Sequence, residues 1–303
     1  MIDTIKLMLR DDEFTITKPE RFSPSARLMW QCPYSEVSSN GYLACRQYPD
    51  SDGIVIDDNY IAKYFPRLTY ARNLQKGGFK TFLTIEFSIP KLLFKNNFQE
   101  AIDADIDTIA EVLHQRLSLM GVETHPELIR GSKVISIHYS KNIVITKYGS
   151  CQFILDAMSR AKVHAALEIS HTDYRNGNLV RYHANSYEVV CYDKLKDLET
   201  ALNVSDKRSA EDCNVLQKDM LDKYKDEEVL RFECRIGNMR KFDDITKKLG
   251  IKVEYNDFET LFSSKLSKQI CLYFWDIIID GIKHLIFHDT EIDKFQSFNT
   301  KFS

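Results

Sequence analysis

The sequence predicts an α+β fold in which helices pack on one face of a central antiparallel sheet. Short segments that alternate apolar and polar residues recur up to residue 236, as expected of strands in such a sheet. Helical segments lie between them, and the rest of the chain has a helical period. Strands joined by tight turns favour α+β over a parallel α/β sheet. We therefore expect residues 1–236 to form one domain and residues 237–303 to form a helical C-terminal region.

The composition is that of an ordinary folded protein. It has 303 residues, 44% hydrophobic and 28% charged, and a formal net charge of −3. The charge argues against a surface coated in basic residues, so a nucleic acid would have to bind a local patch. Seven cysteines without a CxxC pair indicate reduced, mostly buried thiols of a cytoplasmic protein. The start lacks a signal-peptide layout, and the most apolar segment, 270–287, is too charged to span a membrane.

The first part of the chain is predicted to contain a strand, a loop-rich region and a hairpin. Residues 2–9 alternate and form the first strand, and residues 11–59 are rich in loop formers, among them Pro19, Pro24, Pro33 and the pair Asp52-Gly53. Strands 67–72 and 79–89 flank a turn at 75–78, which is the pattern of a hairpin. Pro90 is expected to end the second of these strands.

The clearest helix is predicted over residues 97–120. Asn97 and Glu100 suit a capping box, and Gly121 suits a helix end. The elements predicted after it are strand 134–139, helix 150–161, strand 165–170, a turn at Asn176-Gly177, return strand 179–192, helices 195–202 and 215–225, strand 229–236, and helices 239–249 and 257–287.

The stretch 187–199 carries the chemistry of most interest. Tyr192 lies where a β-rich run meets a helical segment, and Lys194 follows two residues later. A tyrosine can attack a phosphodiester when a cation helps to remove its phenolic proton, because its ordinary pKa is about 10. The plainer interpretation is that Tyr192 is a common strand aromatic.

Polar residues occupy one face of four predicted strands, because alternate side chains point to opposite faces. The residues opposite the apolar rows are Thr84, Glu86 and Ser88; Ser136, His138 and Ser140; Glu188 and Tyr192; and Arg231, Glu233 and Arg235. If the strands are neighbours, Glu86, His138 and Glu233 would hold a Mg²⁺ or Mn²⁺ ion beside Tyr192. The ion would polarise a phosphate oxygen, and Lys194 would favour the phenolate or contact the phosphate.

A basic and aromatic groove for DNA is expected on the same face. Arg231 and Arg235 would grip the DNA backbone, and the other candidates for the groove are Lys91, Arg181, Tyr182, His183 and Lys194. The candidate site residues also have ordinary interpretations. Glu86 and Glu233 would be exposed acids on an open sheet face, His138 a hydrogen-bonded histidine and Lys194 a solvated lysine. None of the remaining histidines is expected to form a metal-ligand pair; His284 and His288 have helical spacing but lack the glutamate of a zinc-protease motif.

The order of five short motifs resembles that of filamentous-phage gene II/X replication initiators and of similar phage and plasmid replication proteins. The motifs are the opening MIDTIKL, LTIEFSIPK at 83–91, ISIHYS at 135–140, VCYDKLKDLE at 190–199 and LRFECRI at 230–236. The resemblance is patchy over residues 1–249. It implies a rolling-circle initiator related to HUH endonucleases, with a central antiparallel sheet. Such proteins cut one origin strand through a tyrosine and later reseal it from a 5′-phosphotyrosine link.

The resemblance also implies roles for individual residues. Tyr192 matches the nucleophile of the family's Tyr-x-Lys motif and Lys194 its lysine, while Glu86 and Glu233 match acidic positions. His138 stands where the phage pattern has aspartate, and Ser136 replaces an arginine. The implied partners are single-stranded or origin DNA and a host helicase, with no membrane contact.

Three hypotheses follow. The first is a metal-dependent enzyme that nicks and rejoins one origin strand through Tyr192. The second is a DNA-binding replication regulator that keeps the fold and has lost catalysis, which the histidine at 138 permits. The third is a metal-dependent nuclease that activates water, in which Tyr192 is structural.

Overall fold

The structure is a computed structural model of the chain, and it describes residues 1–31, 42–47, 64–75, 78–145, 149–203 and 214–283. The strands are β1 (Ile2–Arg10), β2 (Thr15–Ile16), β3 (Tyr42–Gln47), β4 (Arg67–Gln75), β5 (Gly78–Ser88), β6 (Val122–Glu123), β7 (Lys133–Ile145), β8 (His171–Arg175), β9 (Leu179–His183), β10 (Tyr187–Asp193) and β11 (Glu228–Ile236). The helices are α1 (Ala26–Gln31), α2 (Ile89–Phe94), α3 (Ile106–Leu119), α4 (Pro126–Arg130), α5 (Cys151–Ser159), α6 (His164–Leu167), α7 (Lys194–Asn203), α8 (Asn214–Tyr224), α9 (Met239–Lys248), α10 (Phe258–Leu261) and α11 (Ser264–Ile282).

The chain folds into two compact units, and each combines an antiparallel sheet with helices. The N-terminal unit consists of Thr4–Ser136 and Glu254–Phe262, and the C-terminal unit consists of Met1–Asp3, Ile137–Val253 and Ser263–Ser303. The predicted α+β class with a helical end is therefore confirmed at this level. The predicted division of function between residues 1–236 and 237–303 stays a prediction.

The N-terminal unit contains the predicted hairpin. Strand β4 pairs with β5 over its full length, and the sheet continues in the order β3–β4–β5–β1, all antiparallel. Strand β5 ends one residue earlier than predicted because Ile89 already begins α2, where Pro90 occupies the first turn. Residues 76–77 of the predicted turn lie outside the described residues. Strands β2 and β3 and helix α1 lie in the region predicted as loop-rich, and none of the three was predicted as an element.

The predicted helix 97–120 begins later than expected. The side-chain oxygen of Asn96 accepts hydrogen bonds from the backbone N–H groups of Phe98 and Gln99, which folds this segment into a local turn. The Asp105 carboxylate accepts from the N–H of Ile102 just before α3, so the predicted cap at Asn97 is wrong. The other end is as predicted, because Gly121 has a φ of 81°, which glycine tolerates.

The C-terminal unit has a five-stranded antiparallel sheet in the order β7–β11–β10–β9–β8. The turn at Asn176-Gly177 is confirmed, and both residues have positive φ, as a tight hairpin turn requires. The two strands that flank it differ from the prediction. Residues 164–167 form α6, so the strand before the turn is β8, and the predicted return strand 179–192 is divided at residues 184–186 into β9 and β10.

Helices α5 and α11 pack on the apolar row of this sheet. The ring of Phe232 on β11 meets Trp275 edge to face at 5.4 Å, and the ring of Tyr187 on β10 lies 5.2 Å from Phe274. These contacts leave the other face of β10 and β11 for the polar row. The described part of the predicted helix 257–287 is two helices, α10 and α11, because Asp257 and Ser263 each cap a new start; residues 284–287 lie outside the described residues.

Two expectations from composition concern membranes and cysteines. Across the described part of the chain, no helix has both the length and the apolar character needed to cross a bilayer. Five cysteines lie among the described residues, and all of them are buried free thiols, as predicted; they are Cys45, Cys151, Cys191, Cys234 and Cys271.

Close packing at Gly281 of α11 gives a test of the C-terminal unit. A Cβ at this position would lie 2.7 Å from Cγ1 of Val163 and 3.2 Å from the carbonyl oxygen of Lys162. We expect Gly281→Ala to lower the free energy of unfolding. The reason is that the cost of overpacking, about 1–3 kcal/mol, should exceed the gain in helix propensity, about 1 kcal/mol. Urea denaturation should place the control Gly149→Ala, which has open space around it, within about 0.5 kcal/mol of the wild type. Equal stability of the two variants would contradict the packing described.

Candidate active site

The junction between β10 and α7 positions Tyr192 and Lys194. Asp193 caps α7, because its Oδ1 accepts hydrogen bonds of 3.1 Å from the backbone N–H groups of Leu195 and Lys196. The cap turns the chain from strand to helix directly after Tyr192. The Lys194 side chain is fully buried and lies over the Tyr192 ring, with Nζ 5.4 Å from the ring centre.

Strand β11 supplies the partners of the Tyr192 hydroxyl. Tyr192 lies opposite Arg231 in the pairing of β10 with β11. The hydroxyl donates a 2.7 Å hydrogen bond to Oε1 of Glu233, and Nε of Arg231 donates to the same oxygen at 2.8 Å. Nε and Nη2 of Arg235 donate to Oε2 of Glu233 at 2.8 and 2.7 Å. Both oxygens of this carboxylate are therefore hydrogen-bonded by cationic or phenolic donors.

Arg231 is a buried cation with partners on several strands. It is 1% exposed, and Glu233 is 3% exposed. The Arg231 guanidinium donates hydrogen bonds to the side-chain oxygen of Asn142 at 3.1 Å, to the Ser140 hydroxyl at 3.0 Å and to the carboxylate of Asp3. We call the set Asp3, Tyr192, Lys194, Asp197, Arg231, Glu233 and Arg235 the charged cluster, in which Lys194 pairs with Asp197 at 2.9 Å.

The charged cluster fixes the protonation of its members. Burial raises the pKa of Tyr192 well above its ordinary value, and the nearby charge of Glu233 adds to that rise. Burial alone would raise the pKa of Glu233 too, but Arg231 and Arg235 outweigh it and hold this pKa well below its ordinary value. Burial lowers the pKa of Lys194, and Asp197 opposes that effect. The resting state is thus a neutral phenol bonded to an ionised carboxylate.

Most of the other predicted site residues of the C-terminal unit lie on the same face. His138 is opposite Arg235 in the pairing of β7 with β11. Glu188 lies 3.7 Å from Arg235 and 4.0 Å from Arg181, and its Oε1 lies 3.4 Å from Nδ1 of His183. The structure therefore brings Tyr192, Lys194 and Glu233 together, with Arg235 as the link to Arg181 and His183.

Glu86 and Lys91 belong to the N-terminal unit. Glu86 on β5 is 34% exposed at its side chain and pairs with Lys6 at 2.8 Å and with Arg67 at 3.9 Å. Lys91 lies in α2. Their roles as metal ligand and DNA contact stay predictions.

Several expectations about exposure are wrong. The sheet face around Arg231 and Glu233 is enclosed rather than open, because Asp3, Ser140 and Asn142 surround the guanidinium. Lys194 is not a solvated lysine but a buried one.

The candidate aromatic of the groove, Tyr182, is also buried, and its hydroxyl donates to the carbonyl of Met158 at 2.6 Å. Tyr187, at the start of β10, donates to the carbonyl of Leu167. Burial raises the pKa of both phenols.

The sequence analysis missed Asp3 and a group of three residues on β8 and β9. Asp3 comes from the first residues of the chain, and its spacing from Arg231 carries no local signal. His171, Asp173 and His183 lie together on the polar face, whereas no metal-ligand pair was expected among these histidines. The turn at Asn176-Gly177 could have revealed this group. Once the strand before the turn is placed at residues 171–175, the turn sets the register of β8 against β9 and brings His171 opposite His183.

Removal of Glu233 should damage the fold, unlike removal of Glu86. Glu233→Ala leaves the buried Arg231 and the half-buried Arg235 without their shared carboxylate, and breaking a buried ion pair costs about 3–5 kcal/mol. The same change at Glu86, whose side chain is partly exposed, should lower the free energy of unfolding by about 1 kcal/mol or less. Urea denaturation of both variants measures this difference, and equal losses would mean that Glu233 is not enclosed by charged partners.

The Glu233 carboxylate should also make the stability of the fold sensitive to acid. Its pKa is lowered in the folded state, so its stabilisation is complete above the unfolded value of about 4.3 and is lost as the pH falls towards the folded value. The stability gap between the wild type and Glu233→Gln should therefore shrink as the pH falls from about 5 to about 3. A gap that does not change over this range would contradict the lowered pKa. Urea denaturation at each pH gives the gap.

Comparison of the chain with family models, curated proteins and solved structures finds no match.

Proposed function

We propose that the protein is a DNA replication initiator that nicks one origin strand through Tyr192 and later rejoins it. The observation that carries the proposal is the 2.7 Å hydrogen bond from the Tyr192 hydroxyl to Glu233, inside a cluster that also holds three cations. A phenol with a carboxylate acceptor and nearby positive charge is the arrangement that attack on a phosphodiester requires.

The proposed reaction exchanges one phosphate ester for another. The Tyr192 oxygen forms a bond to phosphorus as its proton passes to Glu233. The bond from phosphorus to the 3′ oxygen breaks, and that oxygen takes up a proton to become a 3′-hydroxyl. Attack by a 3′-hydroxyl on the 5′-phosphotyrosine reverses these changes and rejoins the strand. Arg235 and Lys194 offset the negative charge that develops on the phosphate.

The resting cluster opposes the first proton transfer. The pKa of Tyr192 is raised and that of Glu233 is lowered, so the proton favours the phenol. Arg235 offers a way to change this balance, since it is 29% exposed at its side chain while Arg231 is 1% exposed. A DNA phosphate that draws Arg235 away from Glu233 would leave the carboxylate more basic and Oε2 uncovered.

The proposal retains Mg²⁺ or Mn²⁺ as a cofactor, which would polarise a phosphate oxygen when bound. The predicted ligands do not fit the ion as they stand. Glu233 is hydrogen-bonded at both oxygens, and Glu86 is paired with Lys6 and Arg67. No step of the proposed reaction is therefore routed through the ion.

A DNA-binding regulator without catalysis is the second candidate. The raised pKa of Tyr192 favours it, because a phenol that holds its proton more tightly is less readily activated as a nucleophile.

A covalent adduct assay separates the candidates. The full chain is incubated with Mn²⁺ and a pool of randomised, 3′-labelled single-stranded oligonucleotides, and adducts are resolved on a denaturing gel. We expect the wild type and Tyr255→Phe, which changes an exposed tyrosine, to give a denaturation-resistant adduct. Tyr192→Phe should give none, because it lacks the attacking oxygen.

The other outcomes assign the alternatives. Oligonucleotide binding without an adduct would favour the regulator. Cleavage that persists in Tyr192→Phe would point to a nuclease that activates water. Adduct formation by Tyr192→Phe, or no binding at all, would contradict the nicking proposal.

A further inference from the structure

Three side chains with metal-binding atoms share one face of the hairpin formed by β8 and β9. His171 lies opposite His183 in the strand pairing, and Asp173 is two residues along β8, on the same face. One ligand atom from each of the three lies within 4.8 Å of the other two. Backbone pairing of two adjacent strands holds all three residues, so the group is set by a rigid element rather than by a long loop.

Polar neighbours lie beside Nδ1 of both imidazole rings. The Ser170 hydroxyl lies 3.1 Å from Nδ1 of His171 and 3.2 Å from the carbonyl oxygen of His183. The Glu188 carboxylate, an acceptor only, lies 3.4 Å from Nδ1 of His183. A ring proton on Nδ1 beside these acceptors leaves the Nε2 lone pair of a neutral ring available to a metal ion.

Both Nε2 atoms face the same carboxylate. Nε2 of His183 is 2.8 Å from Oδ2 of Asp173, and Nε2 of His171 is 3.9 Å from Oδ1. Without a metal ion, the 2.8 Å contact is a hydrogen bond between the His183 ring and Asp173, and a metal ion would take the place of the shared proton.

We propose that His171, Asp173 and His183 bind a divalent first-row transition-metal ion such as Zn²⁺. Two imidazoles and a carboxylate suit such ions, whereas Mg²⁺ and Ca²⁺ prefer a shell of oxygen ligands. Metal–ligand bonds of about 2.0–2.2 Å place two ligand atoms at most about 4.4 Å apart, so small side-chain rotations bring the three atoms into range. His171 is exposed and the other two residues are half-buried, which leaves a path of entry and room for water ligands.

This site differs from the predicted set of Glu86, His138 and Glu233. It lies on the polar face that also carries Tyr192, and Glu188 connects it to the charged cluster, since Glu188 approaches both His183 and Arg235. Tyr192 is four residues from Glu188 along β10, a distance of about 13 Å, so the ion would not contact the phenol. The inference does not depend on nicking activity.

Metal titration of the full chain, stripped with a chelator, tests the proposal. Calorimetry follows Zn²⁺, and visible absorption follows Co²⁺ as a spectroscopic substitute. We expect His171→Ala and Asp173→Asn each to weaken Zn²⁺ binding by at least about tenfold, because each removes one of three ligands. His164→Ala, an exposed histidine outside the group, is the matched control and should bind as the wild type does.

The possible results each decide the question. Loss in the two ligand variants, with binding retained in His164→Ala and in the double variant His284→Ala/His288→Ala, supports the site. Unchanged Zn²⁺ affinity in His171→Ala or Asp173→Asn overturns it, as does an equal loss in the control. Failure of the wild type to bind Zn²⁺ also overturns it and leaves a hydrogen bond between His183 and Asp173 as the explanation. His171 is exposed, so its variant is expected to keep the wild-type circular dichroism spectrum.

Discussion

The buried guanidinium of Arg231 is the constraint on which the C-terminal unit depends. A cation removed from water costs several kcal/mol unless charged and hydrogen-bonding partners replace the solvent. Arg231 finds these partners in Asp3 near the start of the chain, in Ser140 and Asn142 on β7, and in Glu233 on its own strand. Residues far apart in sequence must therefore assemble around one ion, and misplacement of any strand would leave that ion unpaired.

The same ion links folding to the proposed chemistry. Arg231 and the Tyr192 hydroxyl share one oxygen of Glu233, so the group that would receive the tyrosine's proton is also a partner of a structural cation. Arg235 covers the second oxygen and is the more accessible of the two arginines. In the proposed function, the contacts that stabilise the resting site also keep it inactive. The approach of a phosphate to Arg235 would then shift the proton from Tyr192 towards Glu233.

Local sequence patterns predicted much of the fold but little of the enclosure of the site. Alternation and turn residues were sufficient for β1, the β4–β5 hairpin and β11. Alternation also assigned Glu233 to the polar face, yet it cannot show that Asp3 and Lys194 bury that face, because those contacts are tertiary. The pairing of His171 with His183 was missed for another reason: a short apolar run at 165–170 reads equally well as strand or helix.

The ionisation of Tyr192 is the most direct test of the central claim that this phenol is buried and bonded to Glu233. Tyrosine labelled with ¹³C at the ζ carbon, with the signal assigned from Tyr192→Phe, reports its protonation by NMR as the pH rises. The account predicts that Tyr192 stays protonated beyond pH of about 10, the ordinary value for tyrosine. Ionisation at or below that value in the folded protein would contradict it.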